Sequence, residues 1–285
     1  MAANVDVIDL ASRLRAAEEP FALATVVRTV SVTAAKAGAK AIIRADGRIE
    51  AGWIGGGCAR GATLKAAREA LADGRSRLVS IRPENLLHEL GVKAGEDHEG
   101  VKFASNTCPS QGTMDIFIEP ILPRPVFVVL GASPVALALI EQAKLLGYLV
   151  ALAVPREDLS SVPEVDFFFD GFGVEIVQKG QRFIVVSTQG KGDEAALKAA
   201  LAVDAGYCGF VGSRRKMAAL RNKLITAGIV AASIDKVRAP AGLDLGSITP
   251  EEIALSIIAE VTQLRRQGQR DDSKRPGSRL PQGPA

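Results

Sequence analysis

The sequence predicts an α/β chain in two parts, an N-terminal mixed α+β domain followed by a Rossmann-like parallel-sheet domain. Three observations carry this expectation. Before residue 120 short strand-like runs follow one another with one strong helical stretch among them. From Val126 onward continuous apolar runs alternate with helix-like stretches, the pattern of strands buried on both faces. Between the two patterns Pro120, Pro123 and Pro125 crowd a short linker. The expected boundaries are 1–120 for the first domain, 121–125 for the linker, 126–266 for the second domain and 267–285 for a disordered basic tail.

Taken in order, residues 6–18 space Val7, Ile8, Leu10, Ala11 and Leu14 as an amphipathic helix does. Strand-like runs follow at 21–30, 39–44 and 48–53, the last two joined across the Asp46-Gly47 turn. Residues 59–71 are rich in strong helix formers and close at Asp73-Gly74. Another strand is expected at 77–81, then an irregular acidic stretch over 83–100 that holds both histidines, His88 and His98, and then strands at 101–104 and 113–119. In the second domain the expected strands are 126–130, 149–154, 183–187 and 207–211. The expected helices there are 135–146, 194–203 and 214–225. Thr249-Pro250-Glu251-Glu252 reads as a capping box opening a last helix, with Ile253, Leu255, Ile257, Ile258 and Val261 on its packing face.

Composition excludes several function classes. The chain has 285 residues and a formal net charge of +3. The stretch from Arg265 to Ala285 holds six basic and two acidic residues, so the body without it sits near −1 and offers no nucleic-acid footprint. The longest apolar run, 126–140, is interrupted by Gly131, Ser133 and Pro134 and is too short to span a bilayer. No secretory signal is expected from Met1 to Asp6. Three cysteines without a CxxC pair (Cys58, Cys108, Cys208) fit a reducing cytoplasm.

The richest local signal is Ile54-Gly55-Gly56-Gly57-Cys58, a glycine run that delivers a thiol to an expected helix start. Glycines there let a ligand approach the main chain, and the first N–H groups of a helix favour an anion or a thiolate. A tight turn with a half-buried cysteine explains the same residues. Cys108-Pro109-Ser110-Gln111-Gly112 is a second candidate, with another thiol and further backbone donors; Cys208 reads as inert core. Gly131-Ala132-Ser133-Pro134 stands where a dinucleotide-binding turn would be, but Ser133 replaces the glycine that admits a pyrophosphate and Pro134 has no N–H. The strand ending at Val154 also lacks the acid expected for a ribose. These features weigh against NAD(P), although an NAD(P)-dependent oxidoreductase is the alternative reading of the second domain.

Five segments together resemble the XdhC/CoxI family, the accessory proteins of molybdenum hydroxylases. They are 24–40 (ATVVRTVSVTAAKAGAK), 52–58 (GWIGGGC), 108–120 (CPSQGTMDIFIEP), 206–216 (GYCGFVGSRRK) and 240–260 (PAGLDLGSITPEEIALSIIAE). The resemblance implies a cofactor-handling domain ahead of the Rossmann-like domain. It implies a chaperone that binds molybdenum cofactor, protects it, helps to sulfurate it and inserts it into a hydroxylase of the xanthine or carbon monoxide dehydrogenase type. The implied partners are the apo large subunit of that hydroxylase and a cysteine desulfurase, and a homodimer stays open. By the same resemblance Cys58 takes the cofactor-binding role and is the candidate ligand of the metal, with Gly55, Gly56, Gly57, Cys108, Ser110 and Gly112 around it. Arg28 and Lys40 are expected to offset the anionic charge of the cofactor. This chain departs from many members at 30–34 and 131–134, and it looks more like the branch associated with carbon monoxide dehydrogenase. With no general acid/base pair in evidence, a carrier is expected rather than a turnover enzyme.

Overall fold

The computed structural model describes residues 6–109, 111–175 and 179–270. Ser110 and the basic residues 271–285 lie outside the described residues. The chain divides into two compact units that part between Pro123 and Arg124.

The first unit runs α1 (Val7–Ala16), β1 (Phe21–Val30), β2 (Lys40–Arg44), β3 (Ile49–Gly52), α2 (Gly57–Asp73), β4 (Arg77–Arg82), α3 (Glu84–Glu89), β5 (Asp97–His98), β6 (Val101–Ser105) and β7 (Thr113–Ile121). Its strands form one mixed sheet in the order β3-β2-β1-β7-β4-β6-β5. Strand alternation divides the sheet's side chains. Ala22, Ala24, Val26, Ala41, Ile43, Val79, Ile81, Met114, Ile116 and Ile118 face α2 and form the main core. On the opposite face Phe21 and Ile42 pack with Leu10 of α1. α2 lies close on the sheet because its inward side is small, with Thr63, Ala66, Ala67 and Ala70 buried. It ends at Gly74, whose φ of 73° supplies the left-handed cap.

The stretch 83–100, expected to be irregular, contains α3 and the short β5. Leu87 and Val92 anchor it against Phe103 in a small core of their own. Its histidines stand apart from that core, His88 exposed on α3 and His98 exposed on β5.

The second unit runs β8 (Val126–Leu130), α4 (Pro134–Leu145), β9 (Leu149–Val154), β10 (Phe167–Asp170), β11 (Arg182–Val186), α5 (Asp193–Leu201), β12 (Tyr207–Phe210), α6 (Arg214–Thr226), α7 (Ala231–Ile234) and α8 (Pro250–Arg270). The sheet is all parallel, in the order β10-β9-β8-β11-β12. That is the doubly wound arrangement in which the winding reverses between the first and fourth strands. Alternate residues of the same strands feed two cores. Phe127, Val129, Val150 and Leu152 pack with α4 and α8, while Val128, Leu130, Ala151 and Ala153 pack with α5 and α6. Burial on both faces is why these strands read as unbroken apolar runs.

The capping box of α8 is formed. Glu252 N–H donates to Thr249 Oγ1 at 3.3 Å, and Thr249 N–H donates to Glu252 Oε2 at 3.0 Å. The helix continues through Arg270, past the expected start of the tail at residue 267. β10, which no strand pattern in the sequence announces, is the aromatic run Phe167-Phe168-Phe169 with Asp170.

Candidate functional site

α2 starts without a side-chain cap. Gly56 occupies the cap position in extended conformation, and Gly57 is the first helical residue, with φ of 49°. Gly55 has φ of 99°, so only glycine takes the chain through this turn without strain. Cys58 follows at the second helical position, half-buried.

Facing it is the loop between β6 and β7. Asn106 shapes this loop by donating from Nδ2 to Gly112 O at 2.7 Å and accepting from Cys108 N–H at 3.0 Å. The arrangement sets Thr107 Oγ1 3.0 Å from Cys58 Sγ. It also leaves Cys108 exposed on the same cavity. Gly112 brings the loop against the strap after β1, where an added Cβ would stand 2.7 Å from Thr33 Cγ2 and closer still to Val32 O. That strap is folded back by Thr33 Oγ1, which donates to Ala35 O at 2.7 Å.

Between the glycine turn, the strap and the loop lies a cavity of about 390 Å³, within the usual range for small-molecule pockets of about 300–1,000 Å³. Val32, Ala34, Ile81 and Met114 give it an apolar lining, and Gly55, Gly56, Gly57, Cys58, Thr107, Cys108 and Gly112 form its polar side. Of the residues expected at the site, the glycine run, Cys58, Cys108 and Gly112 come together here. Thr107 and Asn106 were not anticipated. Their signal was the short polar stretch immediately before Cys108, which becomes informative only once the loop is seen to face α2.

Arg28 and Lys40 do not join them, which corrects the expectation that they offset charge in the cavity. An irregularity in the β1–β7 register brings Arg28 opposite Asp115, and Arg28 Nε pairs with Asp115 Oδ2 at 3.1 Å. Lys40 lies opposite Thr25 and donates to its Oγ1 at 3.1 Å. Thr25, Lys40 and Asp115 alternate with the residues that face α2, and the register shift between Val26 and Arg28 turns Arg28 to the same side as Asp115, so both pairs take the other face of the sheet. Among the described residues, no Lys or Arg lines the cavity.

The Thr107 hydroxyl, and after it the Thr107 backbone, holds the Cys58 thiol below the ordinary thiol range, against a smaller opposing effect of burial and of Cys108 nearby. A lowered thiol was expected from the helix start, but the hydroxyl is the larger cause. Cys208 contrasts with it, its thiol pushed up to about 12 by burial in β12. Among the described residues no cluster of three or more His, Cys, Asp or Glu side chains is placed to hold a metal ion.

In the second unit the crevice where the winding reverses is smaller, about 130 Å³, between Gly131–Ser133 and Thr188–Lys191. Gly131, with φ of 114°, is required by close approach, since a Cβ there would meet Ser187 C at 2.7 Å. Ser133 Oγ accepts from Ala136 N–H at 3.1 Å and shares a 2.6 Å hydrogen bond with Ser187 Oγ. The helix start that binds a pyrophosphate in dinucleotide domains is here capped by its own serine and opened by a proline. Lys216, one of the basic residues at the start of α6, is engaged by Asp193 at 2.7 Å.

Comparison with known proteins agrees with both halves of this architecture. The model of the XdhC and CoxI family matches residues 14–82, and the XdhC Rossmann domain matches residues 127–261. Together the two matches cover more than half of the sequence. The chain belongs to the XdhC and CoxI family. The Escherichia coli K12 protein YqeB is 29% identical over 265 residues, covering 90% of this chain and 45% of YqeB. A Bacillus subtilis protein described as a probable xanthine dehydrogenase subunit is 28% identical over 162 residues, covering 54% of this chain and 47% of that protein. The chain thus spans under half the length of these curated relatives. A crystal structure of a xanthine dehydrogenase from Bacillus halodurans is similar over 95% of this chain and 98% of its own, with TM-score 0.43 and 18% identity. No helix among the described residues is long and apolar enough to cross a membrane.

Proposed function

We propose that this XdhC/CoxI-family chain is an accessory protein of a xanthine dehydrogenase-type hydroxylase, carrying molybdenum cofactor as cargo in the first-unit cavity and passing it to the apo enzyme. The observation that carries the reading is a thiol held by a hydroxyl at an uncapped helix start, on the rim of a cavity large enough for a heterocycle. Molybdenum cofactor is a pterin bearing a dithiolene and a phosphate. The apolar lining of Val32, Ala34, Ile81 and Met114 suits the flat ring. The first N–H groups of α2 suit an oxo group or a phosphate oxygen. Cys58 is the side chain to hold the metal, and Cys108 offers a second thiol on the same wall. Family membership and the xanthine dehydrogenase relative support the choice of client class.

The division of labour follows from what each residue offers. Cys58 is held by Thr107 below the ordinary thiol range, which favours its thiolate. The glycines keep the backbone open to cargo, and Asn106 holds the loop that carries Thr107 and Cys108. In the second unit the self-capped turn at Ser133 supports the expectation that NAD(P) is not a cofactor.

The test is anaerobic gel filtration of the protein after mixing with molybdenum cofactor. Co-elution is expected for the parent and is lost in Cys58→Ser, which keeps the fold because a half-buried thiol leaves no large cavity. A parent protein that retains no cofactor refutes the proposal.

A further inference from the structure

Trp53 is the single tryptophan of the chain, and it stands between β3 and the glycine turn. Its backbone is fixed, since Trp53 N–H donates to Lys40 O at 2.9 Å and extends the β2–β3 pairing by one bond. Gly52 immediately before it has φ of 83°, and a Cβ there would meet Ala41 Cα at 2.9 Å, so the close approach of these two strands sets where the indole leaves the sheet. The ring does not enter a core. The residue is 54% exposed, and its Cη2 lies 4.0 Å from the place where a Gly56 Cβ would be. Gly56 lines the cavity. The indole therefore stands beside Gly56, at the edge of the glycine turn that leads to Cys58, next to but not among the residues that line the cavity. Val32, another cavity residue, is 72% exposed on the strap. Large aromatic side chains usually bury most of their surface, and one left open beside a pocket is a typical anchor for a ligand.

We infer that Trp53 is a binding residue of this cavity, the platform on which a flat heteroaromatic ring stacks while Cys58 engages the other end of the same ligand. The inference rests on the proposed carriage of molybdenum cofactor and names what its pterin ring contacts. An indole is suited to the task because stacking needs only a π-face and tolerates small shifts of the cargo. Gly56 is suited for the complementary reason that it adds no side chain between the indole and the cavity.

Because the chain has one tryptophan, its fluorescence reports this position alone. The experiment uses the full chain and molybdenum cofactor released anaerobically from a purified hydroxylase, with retention measured by gel filtration and Trp53 accessibility by acrylamide quenching. Saturation with cofactor is expected to shield Trp53 from acrylamide. Trp53→Ala is expected to weaken cofactor binding about ten-fold, which corresponds to about 1.4 kcal/mol, whereas Trp53→Phe keeps a ring and stays within a few-fold of the parent. Far-UV circular dichroism checks that each variant is folded, and the quenching measurement on the parent needs no variant. Cofactor retained with Trp53 still fully accessible overturns the stacking role and leaves carriage standing, as does a Trp53→Ala protein that binds as tightly as the parent. A parent that retains no cofactor overturns both.

Discussion

Replacing Thr107 by valine removes the hydroxyl 3.0 Å from Cys58 Sγ and keeps the branched shape. The thiolate then loses its nearest side-chain donor, while the backbone of Thr107 and the start of α2 remain. A hydrogen bond to a charged group contributes about 1.5–3 kcal/mol when shielded. Cys58 is only half-buried, so solvent screening brings this to about 1 kcal/mol. At 0.59 kcal/mol for RT, that is a factor of about five in the thiolate population at neutral pH, and alkylation follows the thiolate. The assay is iodoacetamide modification at pH 7, with Cys58 and Cys108 resolved by peptide mass spectrometry. The expected result is that Cys58 in the parent reacts far faster than Cys208, whose thiol is pushed up to about 12. Thr107→Val should slow Cys58 about five-fold, with its pH profile moved to higher pH and Cys208 unchanged. Equal Cys58 rates and profiles in parent and variant would refute the assignment of Thr107 as the activating group and leave the helix start as the cause.

Gly112→Ala places a methyl against Val32 and Thr33, so it should displace the strap, lower the melting temperature and abolish cofactor retention; a variant with parental melting and retention rejects the close approach as a requirement. Tyr207→Phe breaks a 2.6 Å hydrogen bond from the phenol to Glu260 Oε2, leaving that carboxylate only Gly242 N–H at 2.8 Å, and should cost about 1.5–3 kcal/mol in denaturant unfolding of the second unit. Burial pushes the Asp193 carboxyl up, but hydrogen bonds from Lys216 and Thr188 outweigh it, so its folded value lies below the ordinary one. Its contribution is therefore complete above the ordinary carboxylate value of about 3.9 and disappears as pH falls through the folded value. Thermal melts across that acid range should show Asp193→Asn losing less stability than the parent, and parallel slopes would reject the linkage.

The second unit was the more legible half. Its strands are buried on both faces, so Val126–Leu130 and Leu149–Val154 announce themselves as apolar runs without any knowledge of their neighbours. Phe167–Asp170 was missed because it joins β9 through irregular chain with no full helix between them, and the alternation used to find strands was absent there. In the first unit Leu87 and Val92 were too sparse to reveal α3, since their partner Phe103 is remote in sequence. The site divided in the same way. Cys58 and the glycine run were visible because a local turn needs local residues, whereas Thr107 matters only through a contact across 49 positions of sequence. Arg28 and Lys40 failed as site residues for a related reason. Sequence proximity to a motif says nothing about which face of a sheet a side chain takes, and the β1–β7 irregularity decided it for Arg28.

Of the chain's glycine turns that run from a strand into a helix, those before α2 and α4 satisfy the polar groups at their helix starts differently. At α4, Ser133 Oγ accepts the Ala136 N–H, Ser133 N–H points to Ser187 O at 3.4 Å, and Pro134 has no N–H to offer. A pyrophosphate arriving there would have to displace bonds the protein already makes with itself. At α2, the cap is Gly56, no side chain accepts from the first turn, and the residue that follows Gly57 is a thiol. An anionic ligand or a thiolate at α2 therefore gains donors that the fold has not already used, and nothing must be broken to admit it. That difference in hydrogen bonding, more than the presence of glycine, is the physical reason to assign ligand chemistry to the first turn.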